Sequence, residues 1–174
     1  GFVHNNPVNE TDALGLWATG VHVAIIDAWL SDPKYASYAW RCCNIAVRDL
    51  LKEASAELDG VGDLSVLLAQ SSKSAYQHGM RSPGESIQQA EADFQRFLDE
   101  NLRTAKQSAV GARTASCCSG PRNPPIACTQ IRNAIRAFGK AFHAYSDSLS
   151  PAHAGFQEWY DPIDWLANPP SRSG

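Results

Sequence analysis

The residues most able to do chemistry are concentrated in one segment, residues 143–153. His143 and Asp147 are four residues apart, so their side chains project from the same face of a helix. Pro151 then breaks the helix, and a chain that turns back could bring His153 to the same place. Imidazole and carboxylate ligands suit zinc best among the common metals. The segment predicts a zinc site; a surface pair or a hydrogen-bonded core histidine is the alternative interpretation.

Two further histidines could complete such a site. His22 lies on an otherwise apolar face of the first predicted helix, and His78 ends the third apolar segment. Asp63 precedes His78 by fifteen residues. With residues 143–153, they give four histidines and two aspartates that one fold could bring together.

Apolar residues at helical spacing predict the elements that must position these side chains. The predicted helices cover residues 17–30, 35–58, 61–76, 87–105 and 131–145. Breaks are indicated at residues 32–33, 59–60, 81–84 and 119–125, and either Ser82 or Ser86 could cap the fourth helix. No alternating pattern typical of a strand is found in the sequence. The sequence therefore predicts an all-α fold, a single bundle of about five to seven helices around the zinc site.

Length and composition limit the classes of protein to which the chain can belong. The chain has 174 residues, which suits one domain. Hydrophobic residues make up 44% and charged residues 19%, which excludes wholesale disorder. The formal net charge of -3 argues against a polycation that coats nucleic acid. The most apolar stretch, residues 21–30, contains His22 and Asp27, so no transmembrane segment is predicted.

Charge is unevenly distributed along the chain. Seven basic residues and no acid lie between Asn101 and Ser146, and we call these seven the basic belt. They are Arg103, Lys106, Arg113, Arg122, Arg132, Arg136 and Lys140. The basic belt would suit a phosphate-bearing substrate, or it is a solvated face that pairs with the acid-rich first half.

The five cysteines form two adjacent pairs, Cys42-Cys43 and Cys117-Cys118, and a single Cys128. This spacing disfavours a zinc ribbon. A disulfide from the first pair to one of the other three cysteines and buried free thiols both remain open.

The order of the histidines and aspartates resembles the ligand pattern of the zinc-dependent phospholipase C and single-strand nuclease superfamily. Trp17-Ala-Thr-Gly-Val-His22 is similar to the tryptophan and histidine with which processed members begin. His143, Asp147 and His153 match the spacing of the last motif of that family, and residues 138–143 are similar to its lead-in. The resemblance covers residues 17–165 and implies an all-helical protein with two or three zinc ions.

The same resemblance implies seven metal ligands, Trp17, His22, Asp63, His78, His143, Asp147 and His153. Asp147 would bridge two ions, one of them also held by Trp17 and His22. Asp63, His78 and His143 would hold the other, while His153 would bind a third ion or orient the substrate.

The resemblance also implies a catalytic set of Asp63, His143 and Asp147, with Asp63 as a candidate general base. Asp59 is the rival for the role of Asp63. The family normally has a further histidine after the last motif, and this chain has none there; Glu158, Asp161 or Asp164 could replace it as a ligand.

Residues 12–16, Asp-Ala-Leu-Gly-Leu, resemble the last motif of the conserved core of Rhs-type polymorphic toxins, with Ala13 where proline is usual. The resemblance implies that residues 1–16 are the end of that core and that residues 17–174 are a toxin domain. Cleavage between Leu16 and Trp17 would give Trp17 the free amine that the zinc site uses. The alternative is that residues 1–16 are a tether.

The Rhs resemblance further implies partners and a destination. A shell-like Rhs core would enclose the toxin before release, and a cognate immunity protein would cover its site. The toxin would be made in the cytoplasm and delivered into a target cell by a contact-dependent system such as type VI secretion.

Together the resemblances predict a monomeric toxin domain that hydrolyses phosphodiester bonds with zinc. Phospholipase C is favoured narrowly over a nuclease that acts on single strands, because the acidic net charge and the C-terminal aromatic residues suit a lipid interface. The short spacing from Trp17 to His22 favours the nuclease branch. The aromatic residues, Phe156, Trp159, Tyr160 and Trp165, could also stack on bases or form core. A non-catalytic interaction toxin is the alternative from a different class.

Overall fold

Helices account for most of the described chain. The computed structural model describes residues 19–32, 45–59, 72–114, 125–150 and 153–159. Helix α1 covers Thr19–Ser31, α2 covers Val47–Asp59, a 3₁₀ helix covers Ser72–His78, α3 covers Ile87–Thr114 and α4 covers Pro125–Ser148. Within those ranges there is no strand, and an isolated parallel bridge joins Arg81 to Glu158. The helices pack together, which confirms the prediction of a single all-α bundle.

The helix boundaries follow the sequence where local signals are strong. Helix α3 begins after the predicted break, and the Ser86 hydroxyl accepts a hydrogen bond of 3.2 Å from the Gln89 backbone amide. Ser86 is therefore the N-cap of α3. The predicted third helix is represented in the described chain by the 3₁₀ helix, which extends past the predicted end at residue 76 to His78.

The start of α2 differs from the prediction. Helix α2 begins at Val47, whereas the pattern predicted helix from residue 35, and residues 33–44 lie outside the described chain. Ile45 and Ala46 are not helical. Ile45 is instead buried in an apolar cluster with Leu50 and Ile131, so tertiary packing decides its conformation.

Helix α4 is the central element and packs against α2, α3 and the 3₁₀ helix. It approaches α2 closely at Gly139, where an added Cβ would lie 2.7 Å from the Ala54 Cβ. Real Cβ atoms do not come so near, so the absence of a side chain at this position sets the distance between the helices. Because His143 lies about one turn after Gly139, the approach brings His143 against Ser55 of α2.

The two halves of α4 are buried in different ways. The N-terminal half joins an apolar cluster that consists of Ile45, Leu50, Ala112, Ala127 and Ile131. The C-terminal half contributes Ala141 and Ala144 to a second apolar cluster. That half also carries three buried polar side chains, those of His143, Ser146 and Asp147.

Cys128, in the first half of α4, is disulfide-bonded. For this cysteine the structure therefore favours the disulfide over the free thiol. The other four cysteines lie outside the described residues.

Two members of the basic belt pair with acids of α2. Arg136 lies 3.0 Å from Glu53, and Lys140 lies 3.0 Å from Glu57. For these two residues the interpretation as a solvated, paired face applies. Three other members are exposed on α3, namely Arg103, Lys106 and Arg113. Across the described residues, no helix combines the length and the apolar character that crossing a bilayer requires.

Candidate metal centre

Six polar side chains from five parts of the chain are buried at one end of the bundle. They are His22 of α1, Asp59 at the end of α2, His78 at the end of the 3₁₀ helix, His143 and Asp147 of α4, and His153. The four histidines and Asp147 are each at most 2% exposed. Burying such groups is costly unless they are paired, hydrogen-bonded or bound to a metal, so their arrangement needs a chemical reason.

The Asp147 carboxylate lies at the centre of this cluster, and its two oxygens face different partners. Its Oδ1 atom lies 3.0 Å from Nε2 of His22. Its Oδ2 atom lies 2.9 Å from Nδ1 of His78 and 3.1 Å from Nε2 of His143. The same Nε2 atom of His143 is 3.5 Å from Oδ1 of Asp59. A carboxylate placed in this way can present one oxygen to each of two cations.

The separations of 2.9 to 3.1 Å around Asp147 are compatible with a shared metal ion as well as with hydrogen bonds. Two atoms that each lie 2.0–2.1 Å from a tetrahedral zinc ion are about 3.3 Å apart. Two groups of three residues offer ligand atoms that all lie within 4.8 Å of one another, namely His22-His143-Asp147 and Asp59-His78-His143. His143 belongs to both groups, and one imidazole nitrogen binds one ion. If His143 binds an ion together with Asp59 and His78, then His22 and Oδ1 of Asp147 remain for a second ion.

Several of these atoms have no hydrogen-bond partner within the described part of the chain. They are Nε2 of His22, Nε2 of His78 and Oδ1 of Asp147. Nε2 of His22 and Oδ1 of Asp147 are close, but a proton on that nitrogen would not point at that oxygen. Buried polar atoms are nearly always satisfied. A cation between the two atoms would satisfy both, so the residues fit a metal.

Burial and charge hold His143 and Asp147 in the protonation states that binding a metal would require. Burial lowers the pKa of His143, and the nearby Asp147 raises it by less. Burial raises the pKa of Asp147, but polar contacts from His143, His22 and His78 prevail and keep that pKa well below its usual range. At neutral pH the cluster therefore presents a neutral His143 imidazole and an ionised Asp147 carboxylate, which are the forms that bind metals.

The segment after α4 covers the cluster. The ring of Trp159, which is 3% exposed, stacks on His78 with ring centres 5.4 Å apart. The Arg81 backbone amide donates to Gln157, the Trp159 amide donates to Arg81, and the Arg81 guanidinium pairs with Glu158 at 3.0 Å. These bonds hold residues 153–159 against Arg81, which follows the 3₁₀ helix.

His153 and Glu158 differ in their relation to the cluster. Nδ1 of His153 donates a hydrogen bond of 2.7 Å to the His78 backbone carbonyl, which leaves the lone pair of a neutral ring on Nε2. His153 is buried beside the cluster but is in neither group of three. The carboxylate of Glu158 is bound by Arg81 and is likewise in neither group.

The structure brings together His22, His78, His143 and Asp147, four of the residues singled out from the sequence. Asp59, the rival for the role of Asp63, lies in the cluster. Five residues proposed from the sequence as metal ligands or as the cleavage site lie outside the described residues, namely Leu16, Trp17, Asp63, Asp161 and Asp164.

Sequence reasoning missed Ser55, Ser146 and the role of Trp159. Ser146 has a recognisable signal, because a serine inside a helix, three residues after one candidate ligand and directly before another, is placed for a buried hydrogen bond. The C-terminal aromatic residues allowed a lipid interface, base stacking or core. Trp159 is core, since it is buried and stacks on His78, and Phe156 is half-buried and packs on Phe94. Tyr160 and Trp165 lie outside the described residues.

No family model, curated protein or solved structure matches this chain. The interpretation of the cluster therefore rests on its own geometry and chemistry.

Proposed function

We propose that this chain is a zinc-dependent phosphodiester hydrolase, and that it serves as the toxin domain of an Rhs-type antibacterial protein. The observation that carries the proposal is the two-sided arrangement around Asp147. One of its oxygens faces His22 at 3.0 Å, and the other faces His78 and His143 at 2.9 and 3.1 Å. A pair of metal ions joined by a carboxylate is well suited to phosphodiester hydrolysis.

The distances support a division of the ligands between two ions. His78, His143 and Asp59 would hold one ion together with Oδ2 of Asp147. His22 and Oδ1 of Asp147 would hold the second, and the resemblance adds the amine of Trp17. Asp63 is the alternative to Asp59 in the first set.

The chain's own residues would position the reactants around these ions. Bound there, zinc would supply a hydroxide nucleophile at neutral pH and stabilise the negative charge that develops on the phosphate. Asp59 or Asp63 would accept a proton from the attacking water. His153, which is oriented by the His78 carbonyl, would hold a third ion or contact the substrate.

For the substrate we favour the phosphodiester of a membrane phospholipid, which would make the protein a phospholipase C. The acidic net charge supports this choice, whereas the short spacing from Trp17 to His22 favours the nuclease. Trp159 is buried against His78 and Phe156 packs on Phe94, so these two rings add no support for a lipid interface. Single-stranded nucleic acid is the alternative substrate.

A second function has its own support. The histidines and Asp147 are almost completely buried, which is typical of a metal that stabilises a fold. The chain would then be a metal-stabilised interaction toxin without turnover.

Metal content and turnover together decide among these functions. Zinc per chain is measured by elemental analysis, and hydrolysis is measured on phosphatidylcholine vesicles and on single-stranded DNA. We expect two or three zinc ions and lipid cleavage, both lost in His143→Ala and both retained in Ser148→Ala on the same helix. Zinc with DNA cleavage supports the nuclease, and zinc without either activity supports the interaction toxin. A chain without zinc contradicts the metal centre.

The proposal includes maturation by cleavage between Leu16 and Trp17. A chain that begins at Trp17 would then bind more zinc and turn over faster than a chain that begins at Gly1. Both chains are assayed side by side at equal concentration. Equal zinc content and equal rates would show that residues 1–16 are a tether.

A further inference from the structure

We infer that Ser146 is a positioning residue which fixes the tautomer of His22 and so directs the lone pair of that ring at the metal site. The inference rests on the proposed metal centre and adds a residue that neither the ligand pattern nor the resemblance contains. Ser146 lies directly before Asp147 in α4 and is 7% exposed.

The hydrogen bonds of Ser146 determine which atom carries each proton. A hydroxyl group has one proton to donate. The Ser146 hydroxyl donates it to the His143 backbone carbonyl, at an oxygen–oxygen distance of 2.8 Å. Its oxygen also lies 2.9 Å from Nδ1 of His22. Because the hydroxyl proton is already used, Nδ1 of His22 must be the donor in this second bond.

The position of this proton decides what His22 can bind. A neutral imidazole has one N–H group, so a proton on Nδ1 leaves the lone pair on Nε2. Nε2 is the atom that lies 3.0 Å from Oδ1 of Asp147 and has no hydrogen-bond partner among the described residues. Ser146 thereby keeps His22 in the form in which Nε2 can bind a cation shared with Asp147. A hydrogen bond to the outer nitrogen of a metal-binding histidine commonly serves this purpose.

One hydroxyl also links two candidate ligands. Ser146 bonds the ring of His22 and the backbone of His143, and it joins α1 to α4 across 124 residues of sequence. The site is buried, so water is poorly placed to replace a lost hydroxyl.

Two other serines provide comparisons. Ser148 donates a bond of 2.7 Å to the carbonyl three residues before it, as Ser146 does, but among the described residues it makes no hydrogen bond to a histidine. Ser148 therefore separates the effect of this helix bond from the effect on His22. Ser55 lies 3.4 Å from Nδ1 of His143, a longer and weaker contact than that of Ser146.

The test measures the tautomer and the metal affinity separately in the full chain. Long-range proton–nitrogen NMR of ¹⁵N-labelled, metal-free protein shows which imidazole nitrogen of His22 carries the proton, with His22→Gln used for assignment. We expect the Nδ1–H form in the natural chain and in Ser146→Thr, and a shift towards the Nε2–H form in Ser146→Ala. Titration with Co²⁺, followed by its visible absorption, should show about 10- to 100-fold weaker binding in Ser146→Ala. Ser146→Thr and Ser148→Ala should bind Co²⁺ as the natural chain does.

The inference is wrong if Ser146→Ala keeps the natural tautomer and the natural Co²⁺ affinity. It is also wrong if the natural chain itself shows the Nε2–H form of His22, an outcome that can be read even where Ser146→Ala does not fold. Neither readout needs a substrate. A chain that binds Co²⁺ through His22 but hydrolyses nothing would overturn the proposed function and leave the role of Ser146 intact.

Discussion

Both halves of α4 pack in apolar clusters, but only the second half also buries a group of polar side chains. The first half contributes Ala127 and Ile131 to an apolar cluster, where stabilisation is roughly proportional to the buried area and is not directional. The second half carries His143, Ser146 and Asp147, whose burial is tolerable only when each polar atom meets a particular partner. Substitutions of similar size should therefore be mild in the first half and severe in the second.

The largest effect is expected at Asp147. Asp147→Asn removes the charge that contacts three histidines, and we expect zinc content to be lost and the free energy of unfolding to fall by about 3–5 kcal/mol. Chemical denaturation and elemental analysis measure the two effects. Asp99→Asn is the matched control, because Asp99 is exposed on α3 and accepts a hydrogen bond from Gln95. An Asp147→Asn chain that keeps its zinc and its stability would remove the contrast between the two halves.

The second-largest loss of stability is expected when the metal is removed. A ligand that binds the folded chain alone stabilises it by about 4 kcal/mol at a concentration 1,000 times its Kd. Chelation should therefore lower the Tm of the natural chain markedly and leave that of Asp147→Asn unchanged, as measured by differential scanning calorimetry. Equal shifts in both chains would indicate that the chelated metal is bound elsewhere.

Gly139 connects the two halves, and its substitution should have an intermediate effect. The Cβ of Gly139→Ala would lie 2.7 Å from that of Ala54, so we expect a loss of about 1–3 kcal/mol. Adding Ala54→Gly should recover part of the loss, which a double-mutant cycle measures.

The control for Gly139→Ala is Gly20→Ala in α1. A Cβ at Gly20 would meet nothing within 4 Å, and alanine should stabilise the helix by up to about 1 kcal/mol. Equal destabilisation by the two substitutions would show that the close approach of α2 and α4 does not cause the loss of stability in Gly139→Ala.

The smallest loss of stability is expected for substitutions in the N-terminal half of α4. Ile131→Val should lower the free energy of unfolding by about 0.5–1.5 kcal/mol, because it removes one buried methylene group. The Co²⁺ affinity should stay at that of the natural chain. A weaker affinity would show that the two halves are energetically coupled and not separate.

The same contrast explains how much the sequence could predict. The spacing of apolar residues predicted the helical bundle. The separation of four residues between His143 and Asp147 predicted that both side chains lie on one face of a helix. The start of α2 was missed because Ile45 is buried by contacts with Leu50 and Ile131, which no local pattern records.

The position of Asp59 and the bond between Ser146 and His22 depend on how the helices around the cluster pack against one another. Asp59 lies beside His143 because α2 and α4 approach closely at Gly139, and that distance cannot be read from either helix alone. The bond between Ser146 and His22 could not be predicted either, since His22 is on another helix.

The long sequence separations within the cluster have a consequence for the order of folding. His22 meets Ser146 across 124 residues, and His78 meets Asp147 across 69. Contacts of this kind form late, because closing such long loops costs chain entropy before any contact can compensate for it. Individual helices can form while the chain is still being synthesised, but the cluster needs residues from His22 to Asp147. A partly synthesised chain is therefore expected to be helical but to lack the cluster, which assembles once α1 and α4 have met.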